Sequence, residues 1–212
     1  MLRKETVTAD TLELLKSLMQ DENLDNFFLV GGTALSLQIG HRISIDIDLF
    51  SQNAFDEGQM LSYLESNKSF QLDYQDKNTI KGQIDKTKVD LITHSYPLVK
   101  KLNEIEGIRF ASLEDIAAMK LNAIVGNGTR LKDFIDIAFM SHYLSLQYMV
   151  DAYEEKYKTR NPLITLKALS YHDDINFYEP IQMMNGTYSW KLIEKRLSEM
   201  AKFPSEIFEP LL

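Results

Sequence analysis

The stretch VGGTALSLQIGHRISIDIDLF spans residues 30–50 and predicts a strand, a helix and a second strand in succession. The apolar run at 27–30 predicts a short buried strand that ends in a glycine pair at 31–32. Residues 34–40 predict a brief helix that stops at its final glycine. Strict alternation of apolar and polar residues over 43–49 predicts the clearest strand of the chain.

Asp46 and Asp48 are two residues apart in the strand predicted over 43–49, so we expect them to share one face. The opposite face is expected to carry Ile45, Ile47 and Leu49. Neighbouring carboxylates repel each other and are costly to bury, so this face needs an Arg, a Lys or a divalent cation between them. Mg²⁺ is well suited, because proteins bind it through one or two carboxylates together with substrate phosphates.

A third carboxylate, Asp90, is embedded in the apolar strand predicted over 87–93. If that strand lies beside 43–49, three carboxylates converge and can hold one or two Mg²⁺ ions for in-line attack of a hydroxyl on a triphosphate. The glycine pair at 31–32, followed by Thr33 and a helix start, is typical of a phosphate cradle, because glycine permits close approach. The order and spacing of these motifs, rather than the glycine pair alone, indicate a nucleotide site.

This order of motifs resembles the nucleotidyltransferase superfamily, and more closely the AbiEii/AbiGii toxin family. The resemblance rests on GGTAL at 31–35 and HRISIDIDLF at 41–50. It continues at KVDLI (88–92) and at SLEDIAAMKLNAIVGNGTRLKDFIDI (112–137), and it fades after about Tyr148. It implies a nucleotidyltransferase-like fold and the toxin component of a bacterial toxin–antitoxin or phage-defence pair.

The resemblance also implies roles for individual residues. Contacts to a nucleoside triphosphate are implied for Gly31, Gly32, Thr33, Lys120, Arg130 and Lys132. Mg²⁺ ligation is implied for Asp46, Asp48 and Asp90, and Asp90 is alternatively the base for the incoming hydroxyl. Asp133 is implied to support the site, so the implied catalytic set is Asp46, Asp48, Asp90, Lys120 and Asp133.

Two cations are also singled out by their own surroundings. Lys120 lies among apolar residues of a predicted helix, so it needs an anionic partner, either a bound phosphate or a carboxylate cluster. Arg42 precedes the carboxylate strand and is a candidate for contact with a phosphate or a carboxylate. Purely structural ion pairs are the alternatives: Asp90 with Lys86 or Lys88, and Lys120 with Glu114 or Asp115.

Composition narrows the class of protein. The chain has 212 residues, 44% hydrophobic and 25% charged, with no Cys and a formal charge of −8. These proportions exclude collagen-like, low-complexity and disulfide-stapled proteins, and any Cys-ligated zinc or iron–sulfur site. The chain shows neither a signal peptide nor an apolar run of about 20 residues, so we expect a cytoplasmic protein without membrane association. An acidic chain needs a local cationic patch to bind RNA, and the candidates are Lys191, Lys195, Arg196 and Lys202.

The remaining pattern divides the chain in two. The first part gains predicted helices at 9–20 and 56–66 and strands at 69–75, 79–84 and 87–93, which gives an α/β (α+β) part with a small mixed sheet. The second part is predicted to be helical, at 112–125, 130–143, 146–157, 162–170 and 188–202. We place the boundary near 105–111, with an α/β part at 1–108 and a helical part at 109–212 that closes the active-site cleft.

The sequence therefore predicts an Mg²⁺-dependent nucleotidyltransferase that moves a nucleoside monophosphate from an NTP to an acceptor hydroxyl and releases pyrophosphate. The resemblance adds RNA, for example tRNA, as one candidate acceptor and a cognate antitoxin as a candidate partner. Two alternatives stay open. The same site could serve a small-molecule (antibiotic-like) or protein hydroxyl, or the chain could be a non-catalytic module that binds a nucleotide.

Overall fold

Seven strands form one mixed sheet in the computed structural model, which describes residues 1–211. They are β1 (Phe28–Val30), β2 (Ile47–Ser51), β3 (Phe70–Asp76), β4 (Thr79–Ile84), β5 (Thr87–Thr93), β6 (Asn103–Ile105) and β7 (Ile108–Phe110). Their order across the sheet is β3-β4-β5-β2-β1-β7-β6. β2 runs parallel to β5 and β1 runs parallel to β7, while the other neighbours are antiparallel. The mixed sheet predicted from the sequence is confirmed.

Eight α-helices lie within residues 1–211. They are α1 (Ala9–Met19), α2 (Gly31–Ile39), α3 (Glu57–Lys68), α4 (Leu113–Gly126), α5 (Leu131–Met140), α6 (Leu146–Tyr157), α7 (Pro162–Leu169) and α8 (Trp190–Lys202). Side-chain caps fix several starts: the Thr8 hydroxyl accepts a hydrogen bond from the Thr11 N–H at 3.1 Å, and the Ser112 hydroxyl accepts one from the Asp115 N–H at 3.0 Å. The predicted helices are confirmed with small shifts at their ends. None of these helices is both long and apolar enough to cross a membrane.

The chain divides into two compact units. Unit 1 consists of Met1–Gly40, Ser44–Pro97 and Leu102–Ala111, and it contains the whole sheet with α1, α2 and α3. Unit 2 consists of His41–Ile43, Leu98–Lys101 and the chain from Ser112 onward, and it contains α4 to α8. Two short segments from the first half of the chain therefore belong to the helical unit.

One face of β2 and β5 is buried and the other is partly accessible. The fully buried residues are Ile47, Leu49, Val89 and Leu91. The residues between them are half-buried, namely Asp48, Phe50, Asp90 and Ile92. Because successive residues of a strand point to opposite sides, this second set shares one surface, which we call the open face.

The strand predicted over 43–49 begins later than expected, at Ile47. The Ser44 N–H donates to the Thr6 carbonyl at 3.0 Å, and the Ile43 N–H donates to the Gln182 carbonyl at 2.8 Å, so neither enters the ladder of the sheet. Ile45 was expected on the buried side of the strand, and this expectation is wrong because Ile45 is 44% exposed. The alternating pattern is therefore a strand only in its second half.

Two further differences concern short elements. α2 begins at Gly31 rather than at 34, so the glycine pair forms its first turn, while Gly40 ends it in the left-handed region at φ +75° as expected. The hairpin of β6 and β7 was not predicted, because each strand has only three residues. Its turn, Glu106 and Gly107, has φ values of 55° and 77°, as a tight hairpin turn requires.

Candidate active site

Asp48 and Asp90, two of the predicted Mg²⁺ ligands, lie side by side on the open face. They are register partners on the parallel strands β2 and β5, and both are half-buried. Neighbouring strands are about 4.8 Å apart, so carboxylates at paired positions on one face come within reach of a common cation. The structure thus brings two of the three predicted ligands together.

Asp46, the third predicted ligand, lies just ahead of β2 and is exposed. Its backbone carbonyl accepts a hydrogen bond from the Thr33 hydroxyl at 2.5 Å, and the same hydroxyl lies 3.0 Å from that of Ser44. Thr33 is fully buried, so its side chain fixes the backbone that carries Asp46. Thr33, predicted to contact the triphosphate, is thus placed to position a carboxylate.

The donor set fits an ion that shares its ligands with a substrate. Within residues 1–211, no group of three or more His, Asp or Glu side chains is gathered closely enough to hold a metal by itself. Oxygen ligands from Asp48 and Asp90, with Asp46 nearby in the chain, match the preference of Mg²⁺ for one or two carboxylates plus phosphate oxygens. An all-protein cage is not what these residues build.

Gly31 brings the start of α2 against this pair. Its φ of +71° lies in the left-handed region, and a Cβ at this position would collide with the Asp48 carboxylate. Glycine therefore suits this position on two counts, backbone conformation and close approach. The first turn of α2, with Gly32 as its second residue, begins beside a carboxylate of the open face, and the positive end of a helix attracts anions such as phosphates.

Lys81 supplies a cation to the open face. It is the register partner of Asp90 on β4, and its Nζ lies 2.9 Å from Asp90 Oδ2. The alternative pairing of Asp90 with Lys86 or Lys88 is therefore wrong, because Lys81 occupies the adjacent position on the neighbouring strand. The Lys81 side chain is 42% exposed, which leaves it able to move aside.

In unit 2, five buried residues form what we call the Asp136 cluster: His41, Arg42, Lys120, Asp133 and Asp136. Arg42 binds Asp136 with two nitrogens, Nε to Oδ1 at 2.7 Å and Nη2 to Oδ2 at 2.9 Å. His41 Nε2 lies 2.7 Å from Asp136 Oδ1. Lys120 Nζ lies 2.8 Å from Asp136 Oδ2 and 2.7 Å from Asp133 Oδ1. Both predicted nucleotide-binding cations of this cluster therefore already hold carboxylate partners.

The electrostatics of the cluster follow from burial and charge. Burial by itself raises the pKa of Asp136, but the charges of Arg42 and Lys120 outweigh it and hold that pKa well below its ordinary value. Burial lowers the pKa of Lys120, and the carboxylates of Asp136 and Asp133 reverse this and raise it. Burial lowers the pKa of His41 and prevails over the opposing effect of Asp136. At neutral pH Asp136 is thus a carboxylate, Arg42 and Lys120 are cations, and His41 is a neutral imidazole.

Two other predicted nucleotide-binding cations, Arg130 and Lys132, remain accessible in unit 2. The Arg130 side chain is 62% exposed, and its Nε lies 3.7 Å from Asp133 Oδ2. Lys132 Nζ lies 3.1 Å from Glu179 Oε1. These contacts are long or solvent-accessible, so both cations can exchange them for a phosphate.

The alternative pairing of Lys120 with Glu114 or Asp115 is wrong. Asp115 instead pairs with Lys156, whose Nζ lies 2.8 Å from Asp115 Oδ1, and both side chains are fully buried. Asp115 also accepts the N–H groups of Val99 and Lys100 at 3.0 and 3.1 Å. This carboxylate fixes a loop, whereas Lys120 finds its partners on α5.

Sequence reasoning missed Asp136 and Lys81. Asp136 lies between Ile135 and Ile137, which are both fully buried, so a carboxylate within an apolar helix was the available signal. It is the same signal that marked Lys120. Lys81 gave no such signal, because its partnership with Asp90 depends on strand register.

A family model described as the nucleotidyl transferase AbiEii toxin, Type IV toxin–antitoxin system, matches residues 13–199. An uncharacterized protein of Aquifex aeolicus (strain VF5) is 32% identical over 179 residues, which cover 80% of this chain and 86% of the relative.

Two crystal structures from Helicobacter pylori are similar in fold. One, described as a candidate nucleotidyltransferase, has a TM-score of 0.58 and 19% identity over 93% of this chain and 96% of its own. The other has a TM-score of 0.55 and 19% identity over 94% and 93% of the two chains. At these identities the similarity shows the fold alone, and it confirms the fold class predicted from the sequence.

Proposed function

The chain belongs to the nucleotidyl transferase AbiEii toxin family, and on that premise we propose that it transfers a nucleoside monophosphate from an Mg²⁺-bound NTP to an acceptor hydroxyl. The membership confirms the family resemblance and the enzyme class, a nucleotidyltransferase, that the sequence predicted. The observation that carries the proposal is the pair of carboxylates Asp48 and Asp90, in register on parallel strands, with Gly31 at the helix start beside them.

Asp48 and Asp90, with Asp46, would hold one or two Mg²⁺ ions. When bound, such an ion orients a triphosphate, neutralises developing charge and favours ionisation of the attacking hydroxyl. Gly31 and Gly32 would present backbone N–H groups to the phosphates at the positive end of α2. Thr33 would keep Asp46 in place through its carbonyl hydrogen bond.

The proposed reaction balances as a single displacement at the α-phosphorus. The bond from the acceptor oxygen to the α-phosphorus forms as the bridging bond to the β-phosphate breaks. Pyrophosphate leaves with the electron pair of that bond, and Asp90 is the proposed acceptor of the hydroxyl proton. Lys81, 2.9 Å from Asp90, would release the carboxylate during this step.

Residues of unit 2 are proposed to support the same reaction. Arg130 and Lys132 are the accessible cations, and they would contact the triphosphate. Arg42, Lys120 and Asp133 would support the site indirectly, as parts of the Asp136 cluster, since their charges are already paired there. Arg42 is four residues from Asp46 in the chain, so fixing it limits the freedom of the carboxylate segment.

The proposed acceptor is RNA, with tRNA as one case, and the proposed biological role is that of a toxin with a cognate antitoxin. The family description, a Type IV toxin–antitoxin system, supports the role and the partner. Cytoplasm is the proposed location, because NTPs and RNA are present there. The cationic residues Lys191, Lys195 and Lys202 on α8 are available for contact with a phosphate backbone.

The test is to incubate the protein with each α-labelled NTP, Mg²⁺ and total cellular RNA. We expect label on a discrete RNA with the wild type and a loss of at least about 100-fold with Asp46→Asn or Asp48→Asn, because the ion contributes several kcal/mol to the transition state. Asp73→Asn, an exposed carboxylate on β3, is the matched control and should retain activity. Label on protein or on a small molecule would reassign the acceptor, and no transfer to any acceptor would overturn the proposal.

A further inference from the structure

Three aromatic side chains continue the open face beyond the carboxylates. Phe50 is two residues after Asp48 on β2, so both lie on the open face and are separated by about 6.6 Å along the strand. The His94 ring centroid lies 5.1 Å from that of Phe50, and the Tyr96 centroid lies 4.8 Å from that of His94. We call Phe50, His94 and Tyr96 the aromatic row.

The backbone that carries the row is fixed. The His94 N–H donates to the Ser51 carbonyl at 2.7 Å, which extends the pairing of β5 with β2 by one residue. The Gln52 side-chain amide donates to the Tyr96 carbonyl at 3.2 Å. The sheet therefore holds Phe50 and His94 beside the carboxylate pair, and a hydrogen bond from Gln52 ties the segment that carries Tyr96 to the chain after β2.

The geometry of the row differs from the aromatic packing around Trp190 in unit 2. In unit 2, Trp190 meets Phe134, His172 and Phe177 at interplanar angles of 82°, 87° and 75°, edge to face, and Phe134 is fully buried. In the row the angles are 32° and 48°, and Tyr96 is 46% exposed. Rings that lie closer to parallel and remain accessible can offer a face to another flat ring.

We propose that the aromatic row is a stacking subsite for an unpaired nucleobase, a role that rests on the proposed nucleotidyl transfer. A nucleotide whose phosphate meets the carboxylate pair has its base tethered one ribose away, a spacing comparable with the separation of about 6.6 Å between Asp48 and Phe50. Aromatic stacking suits this place, because every base has a π face and stacking needs no positive surface in an acidic unit. The base comes either from the NTP or from the acceptor RNA end.

Kinetics of Tyr96 variants separate these two sources. Tyr96→Leu is expected to raise KM about 5- to 100-fold for the substrate whose base stacks, NTP or RNA, and to leave the other KM unchanged. Tyr96→Phe retains the ring and should stay within about twofold of the wild type. Tyr171→Leu is the matched control, since Tyr171 is 51% exposed and lies in unit 2, outside the row. Thermal unfolding of each variant verifies that it is folded.

A binding measurement makes the proposal independent of turnover. In Tyr96→Trp, titration with each NTP and with tRNA should quench the new indole fluorescence, above the background of Trp190 measured in the wild type. Quenching without any transfer by the wild type would support the subsite while the proposed reaction fails. Active wild type with unchanged KM values in Tyr96→Leu and no quenching in Tyr96→Trp would overturn the subsite and leave the reaction standing.

Discussion

The carboxylates of the open face and those of the Asp136 cluster are the same chemical group in opposite surroundings. Asp48 and Asp90 are half-buried, and Lys81, the lysine that pairs with Asp90, is itself 42% exposed. Asp136 is fully buried and is bound by Arg42, Lys120 and His41 at 2.7 to 2.9 Å. A carboxylate saturated by buried cations stabilises a fold, whereas an accessible one can exchange its partner for a ligand.

Net charge divides in the same way. By sequence, unit 1 contains 17 acidic and 9 basic residues, whereas unit 2 contains 14 of each. The whole formal charge of −8 therefore belongs to the unit that carries the open face. An acidic surface raises the local concentration of divalent cations, and its repulsion of phosphates is relieved once such a cation is bound. The charge of unit 1 thus fits metal-assisted rather than direct binding of phosphate.

The largest effect is expected at Asp136. Asp136→Asn leaves the buried cations Arg42 and Lys120 short of one negative charge, and we expect a loss of about 3–5 kcal/mol in the free energy of unfolding. Asp48→Asn makes the same chemical change at a half-buried site and should cost less than about 1 kcal/mol. Urea denaturation of both variants measures the difference.

Stability and activity are expected to separate in the Asp48 variant. Asp48→Asn should lose transfer while remaining as stable as the wild type. Equal destabilisation by the two substitutions would contradict the contrast between the two regions, because it would mean that Asp48 is also a structural charge.

A smaller effect is expected from the titration of His41. Burial lowers its pKa from the ordinary value of 6.5, and its Nδ1 is buried with no hydrogen-bond partner, so protonation there is unfavourable. As the pH falls through about 6.5, the unfolded chain gains this proton and the folded chain does not, so stability falls by up to about 1.4 kcal/mol per pH unit. The depressed pKa of Asp136 acts at lower pH, since its contribution is lost only as the pH falls below the ordinary carboxylate value of 3.8.

His41→Gln is the control for this prediction. It keeps an N–H donor for Asp136 but cannot titrate, so the free energy of unfolding should vary less with pH in this variant than in the wild type. The measurement is chemical denaturation at several pH values on either side of 6.5. Identical pH dependence in the two proteins would show that His41 titrates alike in the folded and unfolded chain.

Much of the fold could be predicted because local signals agreed with it. Apolar periodicity predicted the helices, and the apolar run at 87–93 predicted β5. Alternation misled at Ile45, since the backbone before Ile47 is taken up by other hydrogen bonds. Hydrogen bonds between residues distant in sequence, such as that of Ser44 with Thr6, leave no local pattern.

The residues of the candidate site that could be predicted are the charged ones that stand in otherwise apolar strands and helices. Asp48 and Asp90 were conspicuous as acids in apolar strands, and their pairing followed from the sheet. Lys120 was conspicuous in the same way, but whether it faces a phosphate or a carboxylate depends on α5, which brings Asp133 and Asp136 to it. Charge alone specifies the need for a partner, and only the tertiary structure identifies the partner.

The smallest effect is expected at Lys81, where the two kinds of charge meet. Lys81→Met keeps the aliphatic stem and removes the cation 2.9 Å from Asp90. Because the pair is partly exposed, stability should change by less than about 1 kcal/mol. If Lys81 competes with Mg²⁺ for Asp90, the Mg²⁺ concentration for half-maximal transfer should fall about two- to fivefold. Lys86→Met, at an exposed position in the turn between β4 and β5, should leave that concentration unchanged. A higher Mg²⁺ concentration for half-maximal transfer by Lys81→Met would instead place Lys81 among the groups that bind the triphosphate. The lysine cation on the open face would then be part of the site rather than a competitor of Mg²⁺.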